Sequence, residues 1–196
     1  MEFREALRRR RMVRNYEEIP VEASAIDRIV QAGTRAPSAG FSQGIRLIVV
    51  TDGYTRHEIA QLAGEEHYVA QGFVPWISRA PVHVVVCVRE NDYHERYREP
   101  DKLQDDGTEI EWPVPYWWVD AGAAMMLVLL AAVDEGLAAG FFGFHRIERL
   151  KALLGIPDDV APIGIVTIGH PAPDRRSSSL ERGRRPDLVH RERWGG

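Results

Sequence analysis

Between Asp120 and Asp134 lie thirteen residues of alanine, glycine, methionine, leucine and valine without one polar side chain. A helix over roughly 118–137 built on that run is apolar around nearly its whole circumference, and such a helix has to be covered on every side. A chain of 196 residues has few elements with which to do so. The pattern therefore predicts an intimate homodimer with this helix near a shared core. A monomer that wraps the helix unaided is the alternative left open. The apolar run itself falls short of the roughly 20 residues that a membrane span needs, so no membrane role is expected.

The rest of the chain alternates helical and extended patterns. Helices are predicted over 2–11, over 21–36 with Ile26, Ile29, Val30 and Gly33 on one face before Pro37, over 54–63 and over 147–154. Strands are predicted over 45–51, 83–88 and 163–168, where β-branched residues run together. Residues 138–144 are apolar and punctuated by glycine. This order predicts a single domain over 1–196, a mixed α/β or α+β layer around one sheet. Residues 89–118 lack a sustained period but hold Tyr93, Tyr97, Trp112, Tyr116, Trp117 and Trp118, which suits a lid or insertion, with packing between subunits as the alternative. Residues 171–196 read as a C-terminal extension whose Leu188, Val189 and Trp194 need a surface to receive them.

Composition excludes some functions. The single cysteine, Cys87, sits in an apolar run and rules out an intramolecular disulfide framework, which fits a cytoplasmic protein. The basic N-terminus is followed by no apolar segment of the kind a secretory signal requires. Seven histidines are scattered without ligand spacing, so no metal site is expected, and Glu65 and Glu66 beside His67 read as a solvated helix face. There is no glycine-rich dinucleotide fingerprint, phosphate-binding P-loop, nucleophile elbow or zinc-protease motif.

Two arginine knots stand out against a formal net charge of -4: Arg8, Arg9, Arg10, Arg11 and Arg14 near one end, Arg182, Arg184 and Arg185 near the other. Guanidinium forks close bidentately on phosphate, so concentrated positive charge on an acidic chain suits one discrete anion. A nucleic-acid module is disfavoured, because backbone binding needs a wide positive surface. Small residues in the loop Pro37, Ser38, Ala39, Gly40, with Phe41, Ser42, Gln43 and Gly44 following, would let a flat ligand approach the backbone. Phosphate and flat ring together describe an organic cofactor.

These motifs resemble, in order, those of the nitroreductase family of flavoproteins. The run Arg10-Arg11-Met12-Val13-Arg14-Asn15-Tyr16 is similar to the family's basic N-terminal signature, with Met12 in place of the common serine. Residues 37–43 match its proline-serine loop, although Phe41 stands where asparagine is frequent and Gly44 replaces a frequent proline. Gly140-Phe141-Phe142-Gly143-Phe144 and Arg182-Gly183-Arg184-Arg185-Pro186 match the third and fourth signatures, so the resemblance covers essentially the whole chain.

The resemblance implies an α+β, nitroreductase-like fold with a central mixed, mainly antiparallel sheet flanked by helices, an intertwined homodimer, and one FMN in each of two interface pockets. Arg10, Arg11, Arg14, Arg182 and Arg184 would hold the phosphate or ribityl chain. Pro37, Ser38, Ala39, Gly40 and Gln43, contributed by the partner subunit, would line the flavin, and Phe142 and Gly143 would sit by the ring's redox edge. Phe41, Tyr97 and Trp112 are candidates for acceptor contacts. NADH or NADPH would donate hydride to the flavin, and a small nitroaromatic, quinone, flavin or enone would then take it by a ping-pong mechanism. No protein acid, base or nucleophile is required. A specialised member that fragments its own flavin to a benzimidazole, or a dehalogenase, would use the same loop.

Overall fold

The computed structural model describes residues 1–174 and 178–194, so part of the extension expected over 171–196 lies outside the described residues. Four strands form one sheet in the order β1-β2-β4-β3: β1 (Ile45–Val50), β2 (Val82–Val88), β3 (Ala138–Phe142) and β4 (Ala161–Gly169). Every named pair is antiparallel, with Ile45 opposite Val88, Val82 opposite Ile168 and Phe142 opposite Ile165. One isolated bridge, Met12 to Ala139, is parallel.

The run Val82–Val88 is buried at all seven positions because both faces of the sheet are covered. Alternate side chains go opposite ways, as strand geometry requires. Val84, Val86 and Val88 pack with Ile29 of α2 (Ala23–Gly33) and Val128 and Leu129 of α7 (Tyr116–Asp134). Val85 and Cys87 pack on the other face with Ile59 of α3 (Gly53–Leu62), Trp76 and Ile77 of α5 (Trp76–Arg79) and Leu150 of α8 (Ile147–Leu154). At about 25 cal/mol per Å² of apolar surface, these two clusters supply the main driving force for folding.

The long helix α7 packs against α2 and all four strands, as expected of a core helix. By length and composition it could cross a membrane, with 44% of its apolar window buried in this chain. Its outer face is not covered: Val119 and Met126 are exposed, and Gly122, Ala123, Leu127 and Leu130 are half-buried between them. This stripe follows the i, i+3, i+4, i+7 spacing of a single helix face.

Three short helices depart from the sequence reading. They are α4 (Glu65–Ala70), α5, and α6 (Asn91–Tyr97), which lies inside the stretch without periodicity. The solvated-face reading of Glu65 is corrected. Its side chain is buried, and Oε1 accepts the backbone N–H of Ile77 at 2.5 Å and of Ser78 at 3.0 Å, the orphan donors of the first turn of α5. A carboxylate from a neighbouring helix therefore caps an element that Pro75 begins. His83 belongs to the core: Nε2 donates to the Ile77 carbonyl at 2.8 Å, and burial lowers its pKa to about 4. Cys87 is free and buried, and burial pushes its thiol up to about 12.

Candidate functional site

The N-terminal arginine knot divides into two sets. In α1 (Phe3–Arg9), Arg8 grips Glu5 with Nε at 2.9 Å and Nη2 at 2.7 Å, and Arg9 Nε reaches the same carboxylate at 2.5 Å. Those hydrogen bonds hold Glu5 down to about 2. Arg11 lies 3.6 Å from Asp174. Arg10 and Arg14 make no ion pair among the described residues, and Arg14 instead lies over the indole of Trp76 at 5.9 Å. The alternative pairing of Arg14 with Glu17 or Glu18 does not form; Arg79 approaches Glu18 at 3.5 Å.

After α1 the chain becomes extended and runs along the edge of the sheet. The Val13 amide donates to the Ala139 carbonyl at 3.0 Å, Glu17 to His170 at 3.0 Å, and the Arg14 amide to Asp174 Oδ2 at 3.0 Å. Val13 and Tyr16, each 2% exposed, point into the core and leave the arginines outside. Gly140 makes this approach possible, because a Cβ there would lie 2.5 Å from the Val13 carbonyl and 3.0 Å from the Tyr16 hydroxyl. The glycine of the third motif is thus a backbone-contact residue beneath the first motif.

The loop after α2 is a tight turn in which Gly40 (φ 59), Phe41 (φ 61) and Gln43 (φ 52) are left-handed. Internal hydrogen bonds stiffen it: Ser38 Oγ accepts the Gln43 amide at 3.0 Å, and Ser42 Oγ donates to the Ala39 carbonyl at 2.6 Å. Ser38, Ala39 and Gly40 are half-buried, while Pro37, Gln43 and the Phe41 side chain, 75% exposed, face outward. Two groups outside the loop grip it. Asp120 of α7 accepts the Ala39 amide at 2.9 Å, and Arg96 of α6 donates to the Gly40 carbonyl at 2.9 Å.

Tyr97 and Trp112 stand beside this loop. The Tyr97 ring occupies the place where a Gly40 side chain would go, and it meets Trp112 edge-on at 4.6 Å between centroids. Trp112 also meets Tyr93 and Trp117, and its indole N–H donates to Glu109 at 2.7 Å. Glu109 takes further bonds from His94 and from Arg98. Residues 91–117 therefore form an aromatic cluster packed within one chain, against the flank of the loop.

Other candidates lie apart. Phe142 is buried, its ring meeting Trp76 at 5.5 Å, while Gly143 is exposed just beyond the end of β3. Trp76 joins Phe142 and Arg14 into one neighbourhood. Arg182 and Arg184 are exposed, and among the described residues no hydrogen bond or ion pair joins them to Arg10, Arg11 or Arg14. Leu188, Val189 and Trp194 are exposed, the last at 89%, and the Trp194 ring stacks on His190 of the same tail at 4.3 Å between centroids. A cavity of about 590 Å³ lies between Glu18, Ile26, Arg56, Arg79 and Val82 and is lined by none of the predicted site residues. Among the described residues no three of His, Cys, Asp and Glu gather as a metal site.

The Nitroreductase family model matches residues 7–170, a stretch that holds the arginine segment, the tight loop and β3. The chain belongs to the nitroreductase family. Its similarity to a putative NADH dehydrogenase/NAD(P)H nitroreductase of Archaeoglobus fulgidus is 30% identity over 189 residues, 94% of each chain. An FMN reductase (NAD(P)H) of Bacillus subtilis is 31% identical over 94% of this chain and 71% of its own. Among solved structures, that of a hypothetical oxidoreductase of Bacillus subtilis superposes with a TM-score of 0.76 at 27% identity, covering 99% of this chain and 75% of that one. The nitroreductase fold inferred from the motifs is the fold observed.

The residues present suit a phosphorylated flavin. Arg10 and Arg14 are cations without carboxylate partners among the described residues, set at the start of and within the extended segment, and the loop Ser38-Ala39-Gly40 offers small side chains on a stiff turn. Sequence reasoning missed the contact of Asp120 with this loop. Standing at the edge of the apolar run, that residue read as a helix flank, and its bond to Ala39 spans 81 positions.

Proposed function

We propose that this protein is a homodimeric, FMN-dependent NAD(P)H oxidoreductase. The observation that carries the reading is the division of the arginines: Glu5 neutralises Arg8 and Arg9, which leaves Arg10 and Arg14 available to an anion. The names of the relatives from Archaeoglobus fulgidus and Bacillus subtilis support the same chemistry.

In this reading Arg10 and Arg14, with Arg11, bind the phosphate or ribityl chain of FMN by charge-assisted hydrogen bonds. Arg182 and Arg184 join them from the tail. The partner's Pro37, Ser38, Ala39, Gly40 and Gln43 line the flavin, and Phe142 and Gly143 bound its redox edge. FMN, when bound, supplies hydride transfer between reduced nicotinamide and a small organic acceptor. The arginines stabilise negative charge, the stiff loop holds the ring's surroundings in place, and Phe41, Tyr97 and Trp112 contact the acceptor and exclude water. Donor and acceptor occupy the same space in turn, giving ping-pong kinetics.

Dimerisation has its own support. The stripe on α7 and the outward Leu188, Val189 and Trp194 are the apolar surfaces that a second copy would cover. The free, buried Cys87 suits the reducing cytoplasm.

The test is direct. Purified protein should show flavin absorbance, heat should release FMN, and anaerobic NADH or NADPH should bleach the bound flavin. A folded sample that neither carries nor takes up FMN overturns the reading. Product analysis separates the acceptor classes: consumption of the flavin under oxygen or turnover of iodotyrosine would assign a specialised member instead.

A further inference from the structure

Asp120 is 7% exposed and makes no ion pair among the described residues. A buried carboxylate without a cation is costly unless hydrogen bonds compensate it. Here one oxygen, Oδ2, accepts two: the Ala39 amide at 2.9 Å and the Tyr93 hydroxyl at 2.9 Å. Burial and that carboxylate together push the Tyr93 phenol well above its ordinary range, so the tyrosine remains a donor.

What the carboxylate holds is a turn that resists its own shape. Ala39 opens the turn, and the next two residues, Gly40 and Phe41, are both left-handed. Phe41 pays a steric cost there that glycine would not. On the other side, Arg96 holds the Gly40 carbonyl, Tyr97 stands against Gly40, and Tyr93 closes against Gly44, where a Cβ would come within 2.4 Å of the ring. Elements α6 and α7 thus grip the turn from two sides, and Asp120 links them.

We propose that Asp120 is a positioning residue that sets the turn in its flavin-receiving shape before the cofactor arrives. This rests on the FMN reading above. Preorganisation of this kind raises affinity by removing an ordering cost from binding. In that reading the turn faces the ring and ribityl chain rather than the phosphate, so its disturbance should weaken riboflavin and FMN alike, whereas loss of an arginine that holds the phosphate should weaken FMN alone.

The experiment titrates the full-length apoprotein with FMN and with riboflavin by flavin fluorescence, alongside thermal unfolding without flavin. Asp120→Ala is expected to weaken both ligands by about tenfold or more, and Asp120→Asn, whose amide oxygen can accept the same two donors, to remain within about threefold of wild type. Equal affinity in wild type and Asp120→Ala overturns the proposal, as does a loss that Asp120→Asn does not relieve. A merely structural role would lower the unfolding temperature and leave affinity unchanged. If Asp120→Ala does not fold, Asp120→Glu takes its place, keeping the charge but displacing the acceptor by one methylene, and unchanged affinity there is equally fatal. Wild-type protein that binds no flavin fails the FMN reading itself and is distinguished by that result.

Discussion

The Tyr16 hydroxyl donates to the Val13 carbonyl at 2.9 Å and meets Thr167 Oγ1 at 2.8 Å, so the extended segment carrying Arg14 is fastened both to itself and to β4. The same Val13 carbonyl limits the space above Gly140. Residues near position 15 and near position 140 therefore form one rigid unit.

Gly140→Ala tests that unit. The new methyl would press on backbone at 2.5 Å, which cannot move aside as a flexible side chain would. Overpacking of this sort costs about 1–3 kcal/mol. Denaturant unfolding should show the loss, and FMN affinity should fall with it.

Arginine substitutions should divide along the same line as the salt bridges. Arg8→Ala breaks an exposed pair with Glu5 and should leave FMN binding unchanged. Arg10→Ala or Arg14→Ala each removes a charge-assisted hydrogen bond worth about 1.5–3 kcal/mol, or roughly 10- to 100-fold in FMN affinity. Riboflavin, lacking phosphate, is the control: a loss for FMN alone assigns the arginine to the phosphate, an equal loss for both ligands assigns it to the ribityl chain, and no loss for either would contradict the assigned contacts.

Stability should rise with pH across the range in which His83 titrates. Its folded pKa of about 4 lies below the ordinary 6.5, so between those values the unfolded chain holds the extra proton. The contribution is complete above pH 6.5 and is lost as pH falls toward 4, by on the order of 3 kcal/mol for a shift of that size. Urea midpoints measured from pH 4 to 7 should show the slope, and His83→Gln should flatten it.

Met126→Glu places a charge in the exposed stripe of α7. In a dimer that covers this stripe, each new carboxylate would be buried without a partner, a severe penalty. Light scattering should show a shift from dimer to monomer, and loss of bound FMN should accompany it.

The strands and the long helix were legible because their causes are local. Val82–Val88 announces a buried strand through its β-branched run, and Ile147–Leu154 is helical where its periodicity predicts. The short helix at Trp76–Arg79 was not, because its cap comes from Glu65, twelve positions before the amide it bonds. Helix Asn91–Tyr97 was hidden among charges and aromatics whose partners, Trp112 and Glu109, follow later in the chain. Within the site, the arginines and the small-residue turn were readable by chemistry. Their sorting by Glu5 and the grip of Asp120 were not, since each depends on which side chains meet in space.

The strap from Val13 to Glu17 also has consequences for synthesis. Its bonding partners are Ala139, His170 and Asp174, so during synthesis this segment has nowhere to dock until more than a hundred further residues have followed. A nascent chain carries the arginine-rich segment undocked while those residues are made. Docking of the arginine-bearing strap must then be among the last events of folding, later than the zipping of β1 with β2.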